Sequence, residues 1–484
     1  PVVSATASQD SVMVTWTAPA ANGAAITGYT VTAAPGGESC TVAAGQELEC
    51  EFDDLTSGTQ YTFSVVATNA AGNGSAGTAT ATPIVIEEQP GFPDYNPVGP
   101  LRLFDTRGVS DPVLVDVPVA QVGGATVLEV QVTGHAGAVP ADGAGAVSLN
   151  VTATNTSGPG FVTVYPCGTA PEASNVNYSA AGTTVANAVI TPLSATGTVC
   201  FYSLVPVDLA VDVNGWFLDD ERAFEPVTPT RVFDTRGQSD DVLTDLPVAQ
   251  VAAGESLEVI LAGLGDNVIP ATGVKGVALN VTATNTSGPG FVTVYPCGEL
   301  GDVSNVNFTG ADQTVPNAVI TPLSDDGKLC FYASAAVDLV VDITGWLSDG
   351  STFESVDPVR VFDTRGQSPE ALRTVPVGRI GGAQEVRVKV TDLGTSVPAT
   401  GVGAVSLNVT ATDTTAPGYV TVYPCGERGD ISSVNFTDAG QTVANAVIAP
   451  VSADGEVCFY ALVGTHLVVD LNGWTALAPY AEAD

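Results

Sequence analysis

SLNVTATNTSGPGFVTVYPCG, residues 148–168, reads as two strands around a turn. Leu149, Val151 and Ala153 alternate with Ser148, Asn150 and Thr152, the period of a strand with two unlike faces. FVTVYP is a second β-branched and aromatic run, and SGPG between the two is turn chemistry. The stretch returns as ALNVTATNTSGPGFVTVYPCG at 278–298 and as SLNVTATDTTAPGYVTVYPCG at 406–426.

Neighbouring segments keep the same order. LRLFDTRG, TRVFDTRG and VRVFDTRG end at Gly108, Gly237 and Gly366, 129 residues apart each time. ANAVITPLS (186–194) answers PNAVITPLS (316–324) and ANAVIAPVS (444–452), and VDLAVDVNGW, VDLVVDITGW and THLVVDLNGW close the copies at Trp216, Trp346 and Trp474. A fixed period of this kind marks a tandem array. Three modules follow at 98–219, 220–349 and 350–476, with a tail at 477–484. Helical periodicity is absent, and eight to ten short strands per module predict a β-sandwich or jelly roll, with a barrel as the third option.

Residues 1–83 resemble a fibronectin type III domain. VMVTWTAP (12–19) corresponds to its second strand with core Trp16, ITGYTVTA (26–33) to the third with Tyr29, and Leu55 with Tyr61 to its tyrosine corner. Short alternating strands between Gly, Pro and Asn turns agree with such a sandwich. A Pro-punctuated linker, 84–97, follows. The three modules resemble a repeat, marked by D-T-R and V-D-x-x-G-W, of large secreted proteins of actinobacteria and their relatives; that resemblance implies no particular activity. The expected fold is therefore all-β: a fibronectin III-like sandwich plus three tandem 129-residue sandwich or jelly-roll modules.

At 484 residues the chain is long enough for several cores, and 45% hydrophobic against 14% charged residues excludes bulk disorder. No apolar run approaches the roughly 20 residues of a membrane helix. The chain opens at Pro1 without a charged or apolar leader, so an export signal is expected outside it. A net charge of −38 argues against nucleic acid and anionic lipid as partners. Eight cysteines fall as Cys40 and Cys50, Cys167 and Cys200, Cys297 and Cys330, and Cys425 and Cys458, the last three pairs each 33 apart. One pair per module predicts four disulfides and an oxidising, extracellular or cell-surface location. No C-x-x-C occurs and neither histidine lies near a cysteine pair, which disfavours a metal. No cofactor is expected; calcium in acidic surface loops stays open.

Only 14 residues are Lys or Arg, yet six of them occupy two positions of the octets: Arg102, Arg231 and Arg360, and Arg107, Arg236 and Arg365. The expected counter-charges are Asp105, Asp234 and Asp363 within the octets, and Asp212, Asp342 and Asp470 on the closing strands. An arginine fork on a carboxylate fixes geometry as Lys cannot, so these groups are read as structural ion pairs, with an anion or glycan site as the alternative. Catalysis lacks support. His135 becomes Leu264 and Leu393 in the other copies, and His466 replaces Asp208 and Asp338, so neither histidine belongs to a shared chemistry. Gly72, Gly74 and Gly77 spell G-x-G-x-x-G, read as a hairpin turn. Arg428-Gly429-Asp430 is read as a turn that happens to spell an adhesion tripeptide, and Asn150, Asn280 and Asn408 as packed strand residues, not glycan acceptors.

Two functions fit. The first is a non-enzymatic extracellular structural or adhesive protein, a subunit of a surface rod or filament whose partners are its own copies or other surface proteins. The second is a region of a larger secreted hydrolase that binds carbohydrate or cell-wall glycan. Only about sixteen residues separate Trp216 from Phe233 and Trp346 from Phe362, with no Gly/Ser spacer, so the modules are expected to stack as an elongated rod.

Overall fold

The computed structural model describes residues 1–7, 12–46, 48–52, 55, 59–82, 94–110, 112–135, 137–219, 224–265, 268–301, 303–426, 428–429 and 431–477. Most of the 84–97 linker and all but Leu477 of the tail lie outside them. The chain forms two compact units, Pro1–Gly91 and Phe92–Asp484. Among the described residues there is no helix, hence none long and apolar enough to cross a membrane.

The first unit has strands β1 (Val2–Ala7), β2 (Val12–Thr17), β3 (Ile26–Ala34), β4 (Ser39–Ala43), β5 (Glu49–Phe52), β6 (Tyr61–Asn69), β7 (Gly72–Asn73) and β8 (Gly77–Ala81). One sheet runs β1-β2-β5; the other runs β4-β3-β6, with β7 and β8 both on β6. Alternation along β2 and β3 sends Val12, Val14, Trp16, Tyr29 and Val31 into one core with Leu55 and Tyr61. The G-x-G-x-x-G glycines fall in the β6–β7 hairpin and at the start of β8, where no phosphate-binding helix follows.

Among the described residues each module of the second unit has eight strands. The first holds β9 (Tyr95–Asp105), β10 (Thr126–Gln131), β11 (Ala144–Thr154), β12 (Gly160–Pro166), β13 (Val176–Tyr178), β14 (Val185–Pro192), β15 (Thr198–Ser203) and β16 (Asp208–Leu218). The second holds β17 (Phe224–Asp234), β18 (Glu255–Ile260), β19 (Val274–Thr284), β20 (Gly290–Pro296), β21 (Val306–Phe308), β22 (Val315–Pro322), β23 (Lys328–Ala333) and β24 (Asp338–Ser348). The third holds β25 (Phe353–Asp363), β26 (Gln384–Lys389), β27 (Val402–Thr412), β28 (Gly418–Pro424), β29 (Val434–Phe436), β30 (Val443–Pro450), β31 (Glu456–Ala461) and β32 (His466–Ala476).

Pairing decides among the three architectures. β9 pairs with β16, β10 with β15, β11 with β14 and β12 with β13, all antiparallel, as in one long hairpin rolled over itself. The result is two four-stranded sheets, β14-β11-β16-β9 and β10-β15-β12-β13, and the other modules repeat them. The module is a jelly roll. Between its sheets the first roll buries a core that includes Phe104 edge-on to Phe201, with ring centroids 5.1 Å apart; Phe233 with Phe331 and Phe362 with Phe459 repeat the contact.

The rolls do not stack in a row. They close around a pseudo-threefold axis, which corrects the expectation of an elongated rod. The strands at the axis are β14, β22 and β30, each packed against the other two. Asn187 donates from Nδ2 to Asn280 Oδ1 of the second roll (2.9 Å), and its Oδ1 accepts the Ala318 N–H (3.2 Å). Asn280 Nδ2 donates back to the Ser174 carbonyl (2.8 Å). The set recurs between the second and third rolls through Asn317, Asn408, Ala446 and Ser304, and between the third and first through Asn445, Asn150, Ala188 and Ser432. Beside this network a shared apolar cluster gathers Tyr95 and Phe217, Phe224 and Leu347, and Phe353 from the three rolls. Asp94 completes the circuit by accepting the Thr352 N–H (2.6 Å) and the Ser351 hydroxyl. Each boundary joins unlike patches, and such head-to-tail contacts form a ring when their rotation closes.

The closed arrangement sets a size. A chain beginning at Phe92 should show by small-angle scattering a radius of gyration of about 21 Å, the value for one compact body of its length; three rolls in a row would give a clearly larger radius and a long tail in the distance distribution.

Candidate functional site

The octets end the first strand of each roll and enter a turn at glycines held at positive φ, +66° at Gly108, +64° at Gly237 and +71° at Gly366. A side chain there would be strained by the backbone and would also meet the side chain of Val119, Val248 or Val377. The turn folds Arg107 back on Asp105. Its Nε and a terminal nitrogen reach the two carboxylate oxygens at 2.8 and 2.7 Å, while its backbone N–H donates to Oδ1 at 2.9 Å. Arg102, on the strand before the turn, donates through Nε to Asp212 Oδ1 at 2.5 Å and reaches Asp105 at 3.3 Å. Antiparallel pairing of β9 with β16 places Arg102 opposite Asp212, so the register of the sheet builds the pair.

The second and third rolls repeat the cluster. Arg236 grips Asp234 at 2.9 and 2.8 Å, and Arg365 grips Asp363 at 3.0 and 2.9 Å. Arg231 donates to Asp342 at 2.5 Å, and Arg360 to Asp470. Arg231 also reaches the Glu172 carbonyl of the first roll at 2.8 Å, so an octet takes part in a module boundary. Two guanidiniums meet two carboxylates in every cluster, and no surplus positive charge remains to attract an anion.

A third partner escaped the sequence reading. Ser110, Ser239 and Ser368 each donate to the octet aspartate, at 2.6, 2.9 and 2.9 Å, and accept from the first arginine. The signal was present: D-T-R-G-x-S is unbroken in all three copies. The octet threonine was missed likewise. Thr106 and Thr235 donate to Asp208 and Asp338, and the Leu209 and Leu339 N–H groups donate to the threonines. In the third roll His466 Nδ1 stands 3.1 Å from the Thr364 hydroxyl, so the substituted histidine keeps the position of the aspartate.

The acids differ in environment. Burial pushes Asp105 up, but the Arg107 fork and the Ser110 hydroxyl outweigh it and hold the carboxyl down at about 2. Asp234 and Asp363 are lowered by the same balance. Asp212 is fully enclosed; its desolvation exceeds the pull of Arg102 and raises it to about 6, and Asp342 behaves alike beside Arg231.

The remaining candidates fall into place as follows. The cysteines are joined as 40–50, 167–200, 297–330 and 425–458, which removes their sulfurs as metal ligands. Trp216, Trp346 and Trp474 pack against the roll cores and form no exposed sugar platform. The Arg428 guanidinium lies over the Tyr460 ring, 3.5 Å from its centroid, while Asp430 lies outside the described residues. Asn150, Asn280 and Asn408 are buried at the module boundaries, where no glycan fits.

The family described as the fibronectin type III domain matches residues 2–83. The N-terminal unit carries a fibronectin type III domain. Among solved structures, the chain is similar to the FN1–FN3 domains of chicken CNTN1, with 12% identity over 70% of this chain and 97% of that one and a TM-score of 0.16. It is also similar to a triple jelly-roll protein of an archaeal virus turret, with 11% identity over 80% and 92% and a TM-score of 0.17. The central fibronectin III array of RIM-binding protein matches at 12% identity over 67% and 91%, with a TM-score of 0.14.

Two outcomes follow. Arg102→Ala strands the enclosed Asp212 carboxylate and should cost about 4 kcal/mol, whereas Arg107→Ala leaves Asp105 with Ser110, Arg102 and a backbone N–H and should cost about 2 kcal/mol. Denaturant unfolding checks the order. The acids also give opposite slopes with pH. Asp212 and Asp342, raised on folding, contribute stability that is complete below about pH 4 and is lost as pH rises through about 6; Asp105, lowered, contributes stability present above about pH 4 and lost as pH falls toward 2. Melting temperatures scanned from pH 3 to pH 8 should peak near about pH 4 and fall toward pH 7.

Proposed function

We propose that this chain is a non-enzymatic structural or adhesive protein of the cell exterior. The observation that carries the reading is the closed ring of jelly rolls, each stapled by its own disulfide. Such a body suits an oxidising, unbuffered exterior, because its cross-links persist only where thiols stay oxidised. The repeated charged groups are spent on holding the rolls in shape. The fibronectin type III domain adds a module of a kind used as spacer or contact surface, and the strong negative charge keeps so apolar a chain soluble. In this reading its partners are further copies or other surface proteins, and it serves as a subunit of a surface assembly.

Antibodies raised against the folded chain provide the test. Immunogold labelling of intact producing cells should decorate the surface, and free-thiol titration of the native material should find its cysteines blocked. Recovery of the chain only from the cytosol with titratable thiols would overturn the proposal.

A further inference from the structure

One sheet of each roll ends in a strand that pairs on one side only: β10 with β15, β18 with β23 and β26 with β31. The three strands share one burial pattern, with alternate residues exposed on the face away from the roll core. Those exposed rows read Val127-Glu129-Gln131, Ser256-Glu258-Ile260 and Glu385-Arg387-Lys389. The central position thus changes sign, from Glu258 in the second roll to Arg387 in the third. Its neighbour on the next strand changes with it. Glu258 pairs with Lys328 of β23 at 2.8 Å, and Arg387 with Glu456 of β31 at 3.2 Å. One address on the fold carries the same ion pair with its polarity reversed. The surrounding chain shifts in the same sense. Residues 241–263 hold four carboxylates and no Lys or Arg, whereas 370–392 hold four cations, Arg373, Arg379, Arg387 and Lys389, against three carboxylates. Arg379 stands where the other rolls have Gln121 and Gln250 and makes their bond, here to the Asp413 carbonyl at 2.9 Å, so the fold itself has no need of its charge.

These strands are also edges. Val390 bonds to the β31 side through the Gly455 carbonyl, so alternation turns the N–H and C=O of Glu385, Arg387 and Lys389 to the open side, where Arg373 caps the Lys389 carbonyl at 2.9 Å. An open edge is a template for another strand, and charge decides which strand it accepts. Set edge to edge, the third roll of one copy and the second roll of another read Glu456, Arg387, Glu258, Lys328 across four strands, with opposite charges at every step. Two third rolls would bring Arg387 against Arg387, and two second rolls Glu258 against Glu258; like charges directly opposite destabilise. The favoured contact therefore joins unlike rolls, and it also covers Ile260, which is 54% exposed. A polyanion suits the third roll less well, since Glu385 and Glu456 flank its cations and the molecule as a whole carries −38. Two copies repel each other by the same net charge, but at about 0.1 M salt the screening length is about 10 Å, so that repulsion fades while charges in contact still attract.

We propose that β26 of one copy pairs edge to edge with β18 of a second copy, Arg387 facing Glu258, so that copies join head to tail. This deepens the structural reading and rests on it for its partner, a further copy; purified chain in solution tests it apart from the cell-surface labelling, so either can fail alone. Sedimentation velocity of the full chain over a concentration series at about 0.1 M salt should show reversible association that about 1 M salt dissolves. Arg387→Glu alone and Glu258→Arg alone should each weaken association by more than about tenfold, because each sets like charges across the contact. Both side chains are exposed, so both variants should keep the parent melting temperature. An equimolar mixture of the two variants should associate again, since each offers the charge that the other lacks. A parent chain that stays monomeric, variants that associate as the parent does, a mixture that stays dispersed, or loss on Glu129→Arg but not on Glu258→Arg would each overturn the proposal. So would a monomeric chain held through Arg387 on immobilised polygalacturonate, which would make an acidic glycan the partner.

Discussion

A carboxamide donates and accepts at once, and the second unit is held together by using both halves of one such group in every roll. Asn187 gives its N–H groups to Asn280 and to the Asn175 carbonyl, and takes the Ala318 N–H on its oxygen. Asn317 and Asn445 do the same one roll further on. A hydroxyl or a carboxylate could not fill this role, because three bonds of two polarities converge on one buried side chain. The polar face of β11 illustrates the result: Ser148, Asn150 and Thr152 alternate with core residues as on a solvated strand, yet all three are buried.

The arginine clusters answer a different demand. A chain this acidic must keep its own carboxylates from prising the sheets apart wherever the fold encloses them. Each octet supplies two guanidiniums at the one edge where a buried aspartate from the closing strand meets a buried aspartate from the turn. The pair is specified by sheet register on one side and by a glycine turn on the other, so a shift in either would break it.

Much of this was legible. The pairing partners of the octet arginines could be named because rare charge in a fixed place needs an equally fixed counter-charge. The strands followed from alternation, and the N-terminal sandwich from Trp16, Tyr29 and Tyr61. The ring was not legible, because alternation reports that a strand has two faces and says nothing of what covers the second. A clue lay in composition: SLNVTAT and ANAVITP carry Asn, Ser and Thr on the polar face but no Lys, Glu or Asp. The bland polarity that looked like solvent exposure is what a buried, hydrogen-bonded boundary requires.

The three rolls are consecutive parts of one chain, and that changes what kind of object the ring is. A ring of three separate subunits comes apart on dilution, whereas here each boundary forms at the effective concentration set by a short connector. Covalent order also frees the copies from being identical. His466 can replace an aspartate in one roll alone, and Arg428 can lie over Tyr460 in a loop whose counterpart begins Leu300-Gly301. The ring is thus symmetric in its backbone but not in its chemistry, and each roll can change without the other two.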